Sequence, residues 1–269
     1  MAAPLLTTKL HVPAIRPESV ARPRLVERLR EGLQRRLTLV SAPAGYGKTT
    51  LVTHWLHEAG RPFAWLTLEI NDSDPARFLA YLIAALKGLD HRIGQTVEPM
   101  LATPQPPPPE SILTALINDI AAVPEPFALV LDDYHLISTL AIHERLAFLV
   151  DHLPATMHLV IATREDPPLP LSRWRARGQM IEMRQADLQF SLEETSDFLL
   201  RVMGLDLSSD DVAALHQRTE GWIAGLQLTA LSMQGRDDVH RLVQSFTGSH
   251  RYILDYLIEE VFQQQPSES

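Results

Sequence analysis

Residues 42–49 read Ala-Pro-Ala-Gly-Tyr-Gly-Lys-Thr, and Thr50 follows. The spacing fits the phosphate-loop pattern G-x-x-x-x-G-K-[ST], with Ala42 where the first glycine usually stands. Each residue type suits a polyphosphate. Pro43, Ala44, Gly45, Tyr46 and Gly47 form the wrap, and the two glycines keep the backbone bare where phosphate oxygens approach. Successive N–H groups face the anion, and the helix that follows presents its positive end. Lys48 is expected to reach the β- and γ-phosphates. The Thr49 hydroxyl would complete a magnesium shell, and Thr50 would hydrogen-bond near the α-phosphate.

A second chemical cluster lies about eighty residues further on. Leu129-Val130-Leu131-Asp132-Asp133 puts two carboxylates at the carboxyl end of an apolar run. Ligands of open α/β sheets bind at that end of the strands. Asp132 is expected to hold Mg²⁺, directly or through water. Asp133 would orient and polarise an attacking water. A plain turn is the bland alternative, since Asp-Asp favours turns. The run 157–163 ends in Thr163-Arg164, and Arg164 could read the γ-phosphate and stabilise transition-state charge.

These groups need a scaffold that brings distant strand ends together. Short β-rich runs occur at 37–40, 63–68, 127–131 and 157–163, with a fifth candidate at 180–183. Helical patterns separate them: one opening at Arg22-Pro23, one after the glycine loop to near Gly60, one capped by Asp74, one from Ser111 to about 123, and one near 139–152. Alternation of this kind implies a right-handed parallel α/β sheet. The segment 99–109 holds six prolines, four of them consecutive, and reads as an extended surface connector with polyproline character, though a recognition role stays open. From Ser191 onward only helices are expected. Ser191-Leu192-Glu193-Glu194 is a capping box, and further helices are expected near 209–217, 221–233, 239–246 and 251–264.

The chain has 269 residues, 45% apolar and 21% charged, which is globular composition with ample material for a core. It has no cysteine, so disulfides, thiolate metal sites and cysteine nucleophiles are excluded. A net charge of −9 argues against a surface-wide nucleic-acid binder. No signal peptide or membrane-spanning run is visible, and the expected location is the cytoplasm. His54 and His57 lack a third ligand at metal spacing. Arg173-Trp174-Arg175-Ala176-Arg177 could supply an arginine finger, but a solvated face is the stronger reading. Trp55 and Trp222 sit at apolar helical positions and read as core.

Val20–Leu25, the glycine loop, Leu131-Asp132-Asp133-Tyr134-His135, Arg175–Gln179, Gly221-Trp222-Ile223-Ala224-Gly225-Leu226-Gln227-Leu228, Phe246–Tyr252 and Asp255–Val261 occur in that order. Together they resemble the MalT-like, LuxR-type regulators, which are STAND P-loop ATPases. The resemblance covers roughly residues 8 to 263. It implies a P-loop domain of the ASCE type, with a five-stranded parallel sheet in the order 5-1-4-3-2, followed by a small all-helical subdomain. The expected partition is an extended arm over 1–20, a nucleotide-binding domain over 21–185, a helical lid over 186–250 and the start of a winged-helix domain over 251–269. The segment 20–22, with Val20 and Arg22, would lie near adenine. The Gly221–Leu228 helix would be the lid helix, with Ile223 where a small apolar residue or proline often stands. The implied activity is a slow ATP-to-ADP switch that controls self-association, with ADP for the resting state and ATP plus Mg²⁺ for the active one. DNA and inducer would be reached only through domains absent from this chain. Two other readings stay open: a nucleotide-gated interaction domain with negligible turnover, and a P-loop kinase acting on a small molecule.

Overall fold

Five strands form one parallel sheet, and their sequences explain their places in it. β1 (Leu37–Ser41), β3 (Phe127–Asp132) and β4 (Met157–Thr163) are buried at every position, as central strands covered on both faces must be. β2 (Phe63–Thr67) and β5 (Met180–Arg184) are only partly buried and form the two edges. The order is β2-β3-β4-β1-β5, which is the expected 5-1-4-3-2 read from the other edge. β4 therefore lies between β1 and β3. Pairing sets Ser41 opposite Thr163 and Leu131 opposite Ile161, so the carboxyl ends of β1, β3 and β4 come out level.

The computed structural model describes residues 4–14, 19–236, 240, 242 and 243. Its contacts divide the chain into two units. The first comprises residues 1–14, 25–41 and 48–184, and the second comprises 15–24, 42–47 and 185 onward.

In the first unit the sheet is flanked by α1 (Pro23–Gly32), α2 (Lys48–Ala59), α3 (Pro75–Lys87), α4 (Val97–Leu101), α5 (Pro109–Ala121), α6 (Leu140–Asp151) and α7 (Leu171–Ala176). Asp74 caps α3 by accepting the Arg77 N–H at 2.8 Å, as its sequence predicts. Leu25, Val26 and Leu29 form the buried stripe of α1. The core joins Leu37, Leu39, Leu129, Leu131, Leu159 and Ile161 from the sheet to Leu82, Leu86, Leu116, Leu146 and Leu149 from the helices.

Two segments differ from the sequence reading. The proline-rich stretch is not extended throughout: Pro99 lies inside α4, and α5 begins at Pro109 rather than Ser111. Both prolines sit in a first turn, where the missing N–H has no helical partner to lose. The N-terminal segment, read as extended, contains a 3-10 turn at Thr7–Leu10 whose Lys9 is buried. Lys9 pairs with Asp72, which is fully buried, and lies 4.5 Å from the Tyr81 ring centroid.

The second unit is helical among its described residues: α8 (Gln185–Leu188), α9 (Leu192–Ser196) running into a π-turn at Asp197–Val202, α10 (Ser209–Thr219) and α11 (Ile223–Met233). The Ser191 hydroxyl accepts the Glu194 N–H, and the Glu194 carboxylate returns to the Ser191 N–H, so the capping box is present. Phe190, Phe198, Leu199, Leu215, Leu226 and Ala230 make a separate core, with Val20 packed against it. The helix expected over 251–264, most of the one over 239–246, the motifs 246–252 and 255–261 and the winged-helix start over 251–269 lie outside the described residues.

Candidate functional site

The site residues of the first unit stand at the carboxyl edge of the sheet. Asp132 closes β3, Arg164 follows β4, and Lys48 opens α2. The Thr49 hydroxyl donates to the Asp132 carboxylate, at 2.9 Å to Oδ2 and 3.2 Å to Oδ1. Residues 83 apart in sequence thus meet as the magnesium reading requires. A hydroxyl and a carboxylate are hard oxygen donors, the set that suits Mg²⁺. Asp133 follows with a φ of 55°, in the left-handed region. That conformation is costly for a residue with a Cβ and collects at functional sites.

The electrostatics fit a site that waits for charge. Burial pulls the Lys48 ammonium down to about 8; Asp133 and Asp132 oppose the shift and Arg164 adds to it. Burial, then repulsion from Asp133, pushes the Asp132 carboxyl up to about 6, against its hydrogen bonds from Thr49 and the Asp133 N–H. Two cations and two carboxylates therefore act on one another at this edge, with Lys48 and Asp132 buried. Phosphate and a divalent cation would compensate both sets. Thr50 is exposed on α2.

The glycine loop, residues 42–47, groups with the second unit, and its backbone is held there. Gly45 has φ +78° and Gly47 φ +72°, so both glycines occupy conformations that side chains resist. The Trp222 indole N–H donates to the Ala44 carbonyl at 3.0 Å. The Ala224 N–H donates to the Gly45 carbonyl at 3.0 Å. A trans peptide points its C=O and N–H in opposite directions. Fixing these two carbonyls toward the start of α11 therefore turns the Gly45 and Tyr46 N–H groups the other way, the arrangement of an anion nest. A Cβ on Gly45 would meet the Ala224 Cβ at 2.5 Å. Trp222 is thus a loop-holding residue and not the plain core residue read from its helical position. Tyr46 is buried and its hydroxyl accepts from Gln185 Nε2 at 2.8 Å. Pro43 is exposed and Ala44 buried.

Arg22, expected near adenine, is buried in the second unit. Its guanidinium donates to the Leu188 and Gln189 carbonyls, both at 2.9 Å, and to the Glu194 carboxylate, and it lies 5.0 Å from the Phe190 ring. Its fork is committed to protein partners, while Val20 packs on the neighbouring core. Elsewhere, Trp174 is fully buried and donates to Asp151, Arg173 pairs with that same carboxylate, and Arg175 pairs with Glu182. Arg173 and Arg175 are thereby engaged in ion pairs at the surface.

Sequence reasoning gave no role to His135. It is nine-tenths buried beside Asp133, and neither ring nitrogen has a hydrogen-bond partner. Its only advance signal is position, two residues after the second aspartate.

A parallel sheet of this order, with a glycine loop and Lys-Thr after β1 and an aspartate ending β3, defines a P-loop nucleoside-triphosphatase. Residues 23–162 match the family described as AAA ATPase domain, and the chain belongs to that family. Among curated proteins it is similar to the HTH-type transcriptional regulator MalT of Serratia proteamaculans, 34% identical over 98% of this chain and 29% of that protein. The MalT regulator of Vibrio cholerae is 33% identical over 96% of this chain and 29% of the relative. The chain spans about three tenths of the length of the curated relatives it matches. Of solved structures, a Walker-type ATPase of Pyrococcus abyssi superposes with a TM-score of 0.59 at 15% identity, covering 97% of this chain and 81% of that one. Cdc6p of Pyrobaculum aerophilum gives 0.52 at 15% identity, covering 86% and 66%. These two likenesses establish the fold. No helix among the described residues is long and apolar enough to cross a membrane.

Proposed function

We propose that this chain is the nucleotide switch of a MalT-like transcriptional regulator, binding ATP with Mg²⁺ and hydrolysing it slowly to ADP and phosphate. Residues 43–50 bind the phosphates, with Lys48 on the β- and γ-groups. Thr49 and Asp132 would hold the cation, which when bound neutralises charge on the phosphate oxygens. Asp133 orients the attacking water, and Arg164 stabilises charge on the γ-phosphate. Residues 20–22 lie near the adenine, with the Arg22 clasp fixing that stretch of backbone. ADP marks the resting state, and ATP permits self-association in the cytoplasm. Residues 21–185 act as the nucleotide-binding domain and 186–250 as its lid, with inducer and DNA recognised by further domains.

The observation that carries this reading is the Thr49–Asp132 hydrogen bond, which joins the loop lysine's neighbour to the acidic strand end. Its test is nucleotide affinity. Lys48→Ala removes charge-assisted hydrogen bonds worth ~1.5–3 kcal/mol, so ATP and ADP should bind ~10–100-fold more weakly by calorimetry. Unchanged affinity would sink the reading. Mass spectrometry of the gently denatured protein would show whether ADP or ATP accompanies it.

A further inference from the structure

β4, β1 and β5 are neighbours in the sheet, and their carboxyl ends are level: Ser41 stands opposite Thr163 on one side and Arg184 on the other. The chain leaving β4 carries Arg164 and then reads Glu165-Asp166-Pro167-Pro168. Proline pushes the residue before it out of the helical region and toward extended backbone, so Asp166 is turned away from a local helical turn. Its carboxylate instead spans the end of β1. Oδ1 accepts the Ser41 hydroxyl at 3.2 Å, and the two oxygens take both arms of the Arg184 guanidinium, Nη1 on Oδ1 and Nη2 on Oδ2 at 3.1 Å.

Arg184 is itself oriented. Its Nη2 donates to Glu182 Oε1 at 2.6 Å, and the Arg175 fork grips the same carboxylate at 2.7 and 2.9 Å. The turn is closed from within as well. Thr163, fully buried, donates its hydroxyl to the Glu165 carbonyl at 2.8 Å, and Pro167 is buried just beyond. The backbone of residues 164–166 is thus fixed at both ends. The Arg184 and Asp166 side chains are 35% and 50% exposed, and ion pairs open to water add little to folding. A planar two-point pair does set direction, however. Direction is what Arg164 needs: a guanidinium stabilises developing charge best when it is already in place.

We propose that Asp166 is a positioning residue for the hydrolytic step: braced by Arg184, it fixes the turn from which Arg164 reaches the γ-phosphate. The proposal rests on the ATPase reading above. Asp166 touches neither nucleotide nor attacking water and moves no proton; it acts through the backbone of residues 164–166. Its effect falls on ATP and not on ADP, which offers Arg164 no γ-phosphate to meet.

The test uses the whole chain, with ADP affinity measured by calorimetry, hydrolysis by single turnover and thermal unfolding of each variant. Asp166→Ala should bind ADP within about threefold of wild type and turn over ~10–100-fold more slowly, the range of a misplaced catalytic group. Asp166→Asn keeps the shape of the side chain and an acceptor for Ser41, so it separates lost charge from lost fold; it should be slowed in the same sense. Arg184→Met should also be slowed, and the Asp166→Ala/Arg184→Met double variant should be no slower than the slower single variant, because the two act as one unit. Arg164→Ala supplies the discriminating background. With the arginine gone, adding Asp166→Ala should change the rate, and the affinity for a non-hydrolysable ATP analogue, by less than about twofold. A merely structural role would weaken both backgrounds alike. The proposal is overturned if Asp166→Ala, folded and loaded with ATP, turns over within about threefold of wild type. It is overturned too if Asp166→Ala harms the Arg164→Ala protein as much as it harms wild type, if its ADP affinity falls as far as its rate, or if wild type binds ATP and never hydrolyses it. Failure of the underlying reading looks different: Lys48→Ala would bind ATP as wild type does.

Discussion

Gly45 shows how one residue of the proposed phosphate loop is fixed by its own conformation and by a protein neighbour at once. Its φ of +78° and the 2.5 Å approach that a Cβ would make to Ala224 each forbid a side chain. Gly45→Ala should therefore cost both stability and ligand: an alanine in the left-handed region loses about 1 kcal/mol before any clash is counted. We expect a lower unfolding temperature and ADP binding weakened ~10-fold or more in calorimetric titration, with a wild-type result on both refuting the account. Trp222→Phe keeps the ring and removes one N–H, a change of about 1 kcal/mol, so ADP affinity should fall ~3–10-fold. Adenosine, which has no phosphate for the loop to hold, should bind both proteins equally. The sequence announced Gly45, Gly47, Lys48 and Asp132 because their chemistry is local and their spacing fixed. It was silent on Trp222, whose indole finds Ala44 across 178 positions, since nothing in a helical apolar pattern says where an indole nitrogen will point. Arg22 shows the same gap, its partners lying 166 to 172 positions away.

At the scale of elements, periodicity was the informative signal. Apolar runs without alternation made β1, β3 and β4 legible as central strands, and β5 was the weakest candidate because its burial is broken at an edge. The proline segment misled because proline disfavours helix interiors but not first turns, and sequence alone did not reveal that α4 and α5 start so close to Pro99 and Pro109. Pairing β1 with β4 also buries His158, whose ring packs edge-on to Trp55 and links Thr38 to Arg35. Burial pulls this imidazole down to about 4. The unfolded chain then binds a proton near pH 6.5 that the folded chain refuses until about 4, so stability is full above the unfolded value and falls with pH through that window. At pH 5 the loss from this one ring should reach about 2 kcal/mol. Urea unfolding at pH 7.5 and 5 should show it in wild type, and His158→Leu should lose less stability between the two pH values. An equal pH dependence in both proteins would remove His158 from the explanation.

At the scale of the whole molecule, the chain's opening residues are tied to a place 63 positions away. β2 is an edge strand, and edges invite unwanted pairing unless something covers them. The 3-10 turn at Thr7–Leu10 packs against β2, and the Lys9–Asp72 pair fastens it. The pair is asymmetric. Asp72 also accepts from Arg77 Nε at 2.9 Å and the Glu69 N–H at 2.8 Å, so losing Lys9 leaves it two partners. Losing the Asp72 charge leaves the buried Lys9 ammonium with Glu69 at 3.5 Å and the Tyr81 ring. A half-broken buried pair costs about 3–5 kcal/mol because one charge stays in the interior uncompensated. Asp72→Asn should therefore destabilise by about 3 kcal/mol, and Lys9→Met by less, since it removes a charge rather than stranding one. The difference has a direct readout. With the arm docked, the Lys9–Leu10 bond is closed to trypsin; in Asp72→Asn the cheaper course is to release the arm and hydrate the ammonium. Limited proteolysis should then cut after Lys9 faster in Asp72→Asn than in wild type under native conditions. Equal cutting rates would mean that the arm is held by its apolar contacts, Leu5 and Leu10 against the core, and that the ion pair adds register rather than adhesion.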